Sequence, residues 1–129
     1  MNTAMPANRK RSEEITIQYF EFLDRHLAEL ISGVSIEMLE LQDIANILCV
    51  SPKHLIKIIQ ETSGNHPCHF YVQKILTCTK SLLTNSELTI SEIAQRLTYD
   101  PSNFTKFFKK YEGMSPSQFR QLQKAKSSP

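Results

Sequence analysis

Residues 88–119 read LTISEIAQRLTYDPSNFTKFFKKYEGMSPSQF, and residues 39–70 read LELQDIANILCVSPKHLIKIIQETSGNHPCHF. Laid over each other at an offset of 49 without a gap, they agree at nine of 32 positions: Leu39/Leu88, Ile44/Ile93, Ala45/Ala94, Leu48/Leu97, Pro52/Pro101, Lys57/Lys106, Gly64/Gly113, Pro67/Pro116 and Phe70/Phe119. Chance composition gives about two. Four of the six prolines and two of the three glycines fall in register. These residues punctuate the backbone, so the match is one of architecture as well as of letters. Two copies are too few for a solenoid and mark a duplicated supersecondary unit.

Each copy reads as helix, tight turn, helix. In the second, Thr89 and Glu92 have the spacing of a capping box, and Ile90, Ile93, Ala94 and Leu97 give the first helix its apolar face. Asp100-Pro101 then offers a cap and a first-turn proline. The next helix carries Phe104, Phe107, Phe108 and Tyr111 at the spacing of a core face and stops at Gly113. The first copy repeats the plan with Ser51-Pro52, then Leu55, Ile58 and Ile59 inward, and Gly64 as terminator. This is the helix-turn-helix arrangement.

Outward from the repeat, residues 13–32 place Ile15, Tyr19, Phe22, Leu23, His26, Leu27, Leu30 and Ile31 on one face and close at Gly33. Residues 68–84 carry Tyr71, Ile75, Cys78 and Leu82 at helical spacing, and Ser115-Pro116 with Gln118 opens a last helix. No segment alternates as a strand does. The expectation is an all-α fold of about seven helices. A first helix-turn-helix subdomain spans 13–66, a linker helix 67–84 and a second subdomain 85–122, between flexible tails at 1–12 and 123–129.

Composition narrows the function. The chain has 129 residues and a net charge of +2, with 40% hydrophobic and 22% charged residues. That is one globular domain or two very small ones. No apolar run is long enough for a membrane span, and the charged N-terminus has no apolar core of a secretory signal behind it. Three cysteines (Cys49, Cys68, Cys78) without a C-x-x-C pair argue against a disulfide scaffold and fit a reducing compartment. Three glycines leave no Rossmann or Walker loop. His66-Pro67-Cys68-His69 has histidines and a cysteine together, but no fourth ligand at metal-like spacing, and His66 sits at a helix cap. Neither a metal nor a cofactor is expected. Nothing orders a Cys–His pair or supplies an oxyanion donor, so an enzyme is not expected either.

Charge is uneven along the chain. Residues 89–129 hold seven basic side chains (Arg96, Lys106, Lys109, Lys110, Arg120, Lys124, Lys126) against Glu92, Asp100 and Glu112, a balance of +4. The remainder is −2. The face opposite the core in each second helix is free of acids. It carries Lys53, Ile56, Lys57 and Gln60 in the first unit, and Ser102, Thr105, Lys106 and Lys109 in the second, with Asn103 and Lys110 beside them. A helix of this size fits the major groove, and these groups can donate to base edges and phosphates. By position, Lys53, His54, Ile56, Lys57, Ser102, Asn103, Thr105 and Lys106 are candidates for bases. Ser51, Gln60, Lys109 and Lys110 are candidates for phosphates. The linker helix, at 1.5 Å per residue, spans roughly 25 Å. With the width of its neighbours it can hold two reading helices about one DNA turn (~34 Å) apart.

The pattern L-x-x-I-A-x-x-L-x-V-S-P-x-x-L, a helix, then L-T-I-S-E-I-A-x-x-L and a closing G-M-S-P-S-Q-F-R (Gly113 to Arg120) resembles the arabinose-regulator (AraC/XylS) family of bacterial transcription factors. The resemblance covers about residues 38–120. It implies a seven-helix domain with two helix-turn-helix units that binds double-stranded DNA, acts in the cytoplasm on the nucleoid, and recruits RNA polymerase. The DNA-binding unit is expected to be a monomer that fills two successive major grooves. Four departures stand out. Cys49 and Thr98 occupy the places where the family usually has glycine, and the second turn (Thr98-Tyr99-Asp100-Pro101) is a residue shorter than the family's usual form. Lys57 and Lys106 stand where arginine is common, and Ile56 replaces a residue that is often polar. The rival expectation is a helical protein-interaction module whose helix-turn-helix units have lost DNA.

Overall fold

The computed structural model describes residues 7–34 and 37–127. Among them are seven helices: α1 (Ala7–Ser32), α2 (Leu41–Ile47), α3 (Pro52–Ser63), α4 (Pro67–Asn85), α5 (Ile90–Arg96), α6 (Pro101–Glu112) and α7 (Pro116–Ser127). The fold is all-α. Two ends differ from the periodicity reading. Helix α1 begins at Ala7 instead of residue 13, and α7 continues to Ser127 instead of ending near residue 122. Apolar spacing marks only the part of a helix that packs, and polar turns beyond it carry no such mark. Residues 1–6 and 128–129 of the expected tails lie outside the described residues.

The chain divides into two compact units, Met1–His26 with Leu39–Val72, and Leu27–Met38 with Gln73–Pro129. Both α1 and α4 thus belong partly to each. The division falls within the two long helices, each of which contributes residues to both cores.

In the first unit, α1 brings Ile15, Tyr19, Phe22 and Leu23 against Ile44 and Ala45 of α2 and Leu55, Ile58 and Ile59 of α3. Phe70 and Tyr71 at the start of α4 pack on the edge of this cluster. The buried Tyr19 hydroxyl donates to the Pro67 carbonyl at 2.6 Å, tying α1 to the head of α4. Burial pushes that phenol well above the usual tyrosine range.

In the second unit the buried side chains are Leu27 and Leu30 of α1, Ile75, Leu76, Thr79 and Leu83 of α4, Ile93 and Ala94 of α5, Leu97, and Phe104 and Phe108 of α6. Phe119 of α7 meets the Phe108 ring edge-on at 5.7 Å. The aromatic face of α6 is narrower than its spacing suggested. Phe104 and Phe108 are fully buried, Phe107 is half-buried and Tyr111 is 45% exposed. A pair at i, i+4 fills the available width, and positions 107 and 111 roll onto the flank. There Phe107 stacks on Tyr99 at 5.2 Å and touches Tyr111 at the same distance. Cys78 is half-buried.

Candidate nucleic-acid interface

Each recognition helix is started, held and stopped by local chemistry that the repeat duplicates. Ser51 Oγ accepts the His54 amide at 3.0 Å, and Asp100 Oδ2 accepts the amides of Ser102 and Asn103 at 3.1 and 3.3 Å. Both caps are followed by proline at the first helical position. Gly64 and Gly113 then close α3 and α6 in the left-handed conformation, at φ 85° and 80°.

The helix preceding each turn ends in the same way twice. In the first unit the Leu48, Cys49 and Val50 amides donate to the carbonyls of Ile44, Asn46 and Ala45. In the second, those of Leu97, Thr98 and Tyr99 donate to Ile93, Gln95 and Ala94. This is a Schellman closure, and its pivot requires positive φ. Cys49 at 61° and Thr98 at 62° supply it without being glycine. The turn geometry therefore survives the two sequence departures, with the strain of a β-carbon in the left-handed region. The capping box expected at α5 is present, with Thr89 N–H donating to Glu92 Oε1 at 2.8 Å and Glu92 N–H to Thr89 Oγ1 at 3.0 Å. Hydrogen bonds from Thr89, its backbone N–H first, hold the Glu92 carboxyl below the usual range.

The outer face of α3 presents Lys53, His54, Lys57 and Gln60 as exposed side chains, with Ile56 half-buried among them. Ser51 is exposed at its head, and accepting the cap bond leaves its hydroxyl hydrogen able to donate. On α6, Ser102, Asn103, Lys106, Lys109 and Lys110 are exposed and Thr105 is half-buried. The candidates are thus brought together in two groups, one in each unit. The faces differ in charge: α6 ends in Lys109 and Lys110, whereas α3 has Glu61 next to Gln60. The Lys110 ammonium lies 5.4 Å over the Tyr111 ring.

Two basic residues counted with the C-terminal third have another task. Arg120 donates from Nε to the Leu83 carbonyl at 3.0 Å and from Nη2 to those of Leu82 and Ser86 at 3.4 Å, closing the C-terminus of α4. Arg96 Nη1 donates to the Ile31 carbonyl at 2.7 Å near the end of α1. A guanidinium suits orphan carbonyls at a helix end. Sequence offered no signal for either bond, since the acceptors lie 34 to 65 residues away. His66 takes the role expected of it, its Nδ1 accepting the Cys68 amide at 3.0 Å at the head of α4. Of the basic run at 9–11, the side chain of Arg9 lies outside the described residues, and Lys10 and Arg11 are exposed on α1.

Two helix-turn-helix units, each with an acid-free outer face on its second helix, place the chain in the helix-turn-helix class of DNA-binding domains. A helix-turn-helix domain family model matches residues 44–122. The Msm operon regulatory protein of Streptococcus mutans is 35% identical over 83 residues, which are 64% of this chain and 30% of that protein. The chain therefore spans about a third of the length of that relative. Among solved structures, the C-terminal domain of AraT, a response regulator from Geobacillus stearothermophilus, superposes with a TM-score of 0.72 at 30% identity, over 84% of each chain. The DNA-binding domain of the global transcriptional factor AdpA, solved with a target DNA, shares the fold with a TM-score of 0.66 at 20% identity, over 78% of this chain and 95% of that one. The chain belongs to the AraC-type helix-turn-helix family. Among its described residues no helix is long and apolar enough to cross a membrane.

Proposed function

We propose that this chain binds double-stranded DNA in a sequence-specific way as part of a bacterial transcriptional regulator, with α3 and α6 inserted into two successive major grooves. The observation that carries the reading is the duplicated outer face: two helices with a polar cap and proline at the head, the same turn before them and a glycine terminator. Their outer stripes (Lys53, Ile56, Lys57, Gln60 and Ser102, Thr105, Lys106, Lys109) are free of acids, with Glu61 standing only beside the tail of the first. As a monomer the unit fills both grooves, and the duplication takes the place of the dimer that many helix-turn-helix proteins use.

The roles follow from donor chemistry. Asn103, near the head of α6, matches the paired donor and acceptor of an adenine edge, while Ile56 matches a thymine methyl. Lys57 and Lys106 give single bonds to guanine, since an ammonium lacks the arginine fork. Lys53, His54, Ser102 and Thr105 complete the base-reading sets. Ser51, Gln60, Lys109 and Lys110 hold phosphates. A DNA-binding role fits action in the cytoplasm, at the nucleoid, and the family resemblance supports RNA polymerase as the second partner of this reading.

The protein-interaction reading retains one argument, the apolar Ile56. The missing turn glycines no longer weigh for it, because both turns keep their shape. The test is incubation with fragmented genomic DNA at two salt concentrations, followed by sequencing of the bound fraction. Enrichment of an asymmetric motif with two boxes about one turn apart is the expected result, with binding that falls steeply as salt rises. No binding at low salt would overturn the proposal in favour of a protein partner.

A further inference from the structure

The repeat allows the flanks of the two recognition helices to be compared position by position. In the first unit, Ile58 lies in the core formed with Ile15 and Tyr19 of α1, and the Thr62 hydroxyl meets that of Thr16 of α1 at 2.7 Å. Their counterparts at the offset of 49 are Phe107 and Tyr111. These stand in the half-open ladder with Tyr99, and Tyr111 is 45% exposed. Ile58 is buried where Phe107 is only half-buried, Thr62 and Tyr111 are both exposed, and Lys110 borders the open edge of the ladder.

Helix α1 has a matching outer surface. Ile17 is a large apolar side chain of that helix left 59% exposed. On the same face lie Glu13, Glu14, Glu21 and Asp24, and Lys10 two turns before it. An apolar knob ringed by carboxylates is complementary to an aromatic ladder edged by lysine.

We propose that the Ile17 face of α1 in one copy of this chain docks on the Tyr99–Phe107–Tyr111 ladder of a second copy, so that copies on adjoining DNA sites bind cooperatively. The DNA part rests on the two-groove reading, in which chains in the same orientation bring the second unit of one beside the first unit of the next. One isoleucine against three rings buries far less than the roughly 1,200 Å² of a stable complex, so the pairing is weak in free solution and is expressed where DNA raises the local concentration. The contact is heterologous, with different surfaces on the two sides, and extends along tandem sites without closing.

Two measurements test it. The first titrates fluorescent duplexes carrying one or two copies of the enriched site in the same orientation, at spacings stepped through one helical turn. A second chain is expected to bind about tenfold more tightly at a favoured spacing. Ile17→Ser and Tyr111→Ser each abolish that gain and leave affinity for the single site unchanged. Independent binding at every spacing, or cooperativity that persists in Ile17→Ser, overturns the proposal while single-site binding stands by itself. The second, which needs no DNA, follows amide and methyl NMR signals on dilution from about 1 mM. Concentration-dependent shifts are expected at both the Ile17 face and the ladder. Shifts at neither, or at the ladder alone, overturn it.

Discussion

Cys49 and Thr98 show how much a single backbone angle can decide. Each holds φ near +60° at the pivot between the two helices of its unit. The left-handed region costs an L-residue with a β-carbon roughly 1–2 kcal/mol, more when it is branched, as threonine is. Glycine pays none of this, though its freer unfolded chain offsets part of the gain. Cys49→Gly and Thr98→Gly are each expected to raise stability by about 0.5–1 kcal/mol, Thr98→Gly by more. Thermal melts check this as a rise of a few degrees, and a fall in either variant would contradict the strain argument. Arg120 is the opposite case, a residue whose loss uncaps a helix. Its three carbonyl partners lie at the end of α4 and the residue after it. Arg120→Ala is expected to cost about 2 kcal/mol, the loss of charge-assisted bonds to partly buried acceptors. Denaturant titration reads this directly.

At the scale of the element, α3 and α6 are built alike and charged differently. Helix α6 adds Lys109 and Lys110 where α3 has Gln60 and Glu61. The second unit therefore contributes more of the phosphate attraction in the proposed complex. Lys106→Ala is expected to weaken DNA binding about tenfold, and Lys57→Ala clearly less. Equal or reversed losses in a binding titration would contradict the ranking. Lys109→Ala combined with Lys110→Ala should reduce the slope of log affinity against log salt by nearly two, about 0.9 for each phosphate released. Elements were also where the sequence was most informative. The helix starts at Ser51-Pro52, Thr89 and Asp100-Pro101 and the stops at Gly64 and Gly113 are local chemistry, repeated twice, and each was legible from residues a few positions apart. What lay beyond reach involved partners distant in the chain. The Arg96 and Arg120 bonds join residues tens of positions apart. The flank position of Phe107 and Tyr111 depends on how much width the neighbouring helices leave, which periodicity does not measure. The outer faces of α3 and α6 were readable as faces, by elimination of the core positions.

At the scale of the whole molecule, the account turns on one chain engaging two grooves. Two units, each with its own core and its own recognition helix, are joined by helices shared between them. A variant that cripples one recognition helix should retain only the weak, salt-sensitive attraction of the other. Double-alanine substitution of Lys53 and Lys57 should thus leave some binding with specificity confined to the box read by α6. The most direct measurement changes the DNA instead of the protein. Inserting five base pairs between the two boxes of the enriched site turns one box half a turn away from the face that the other presents. Affinity is predicted to fall by about a hundredfold, to that of a single box, because the second recognition helix no longer adds its share. Affinity unchanged by the insertion would contradict the two-groove account and leave a protein that reads DNA with one unit alone.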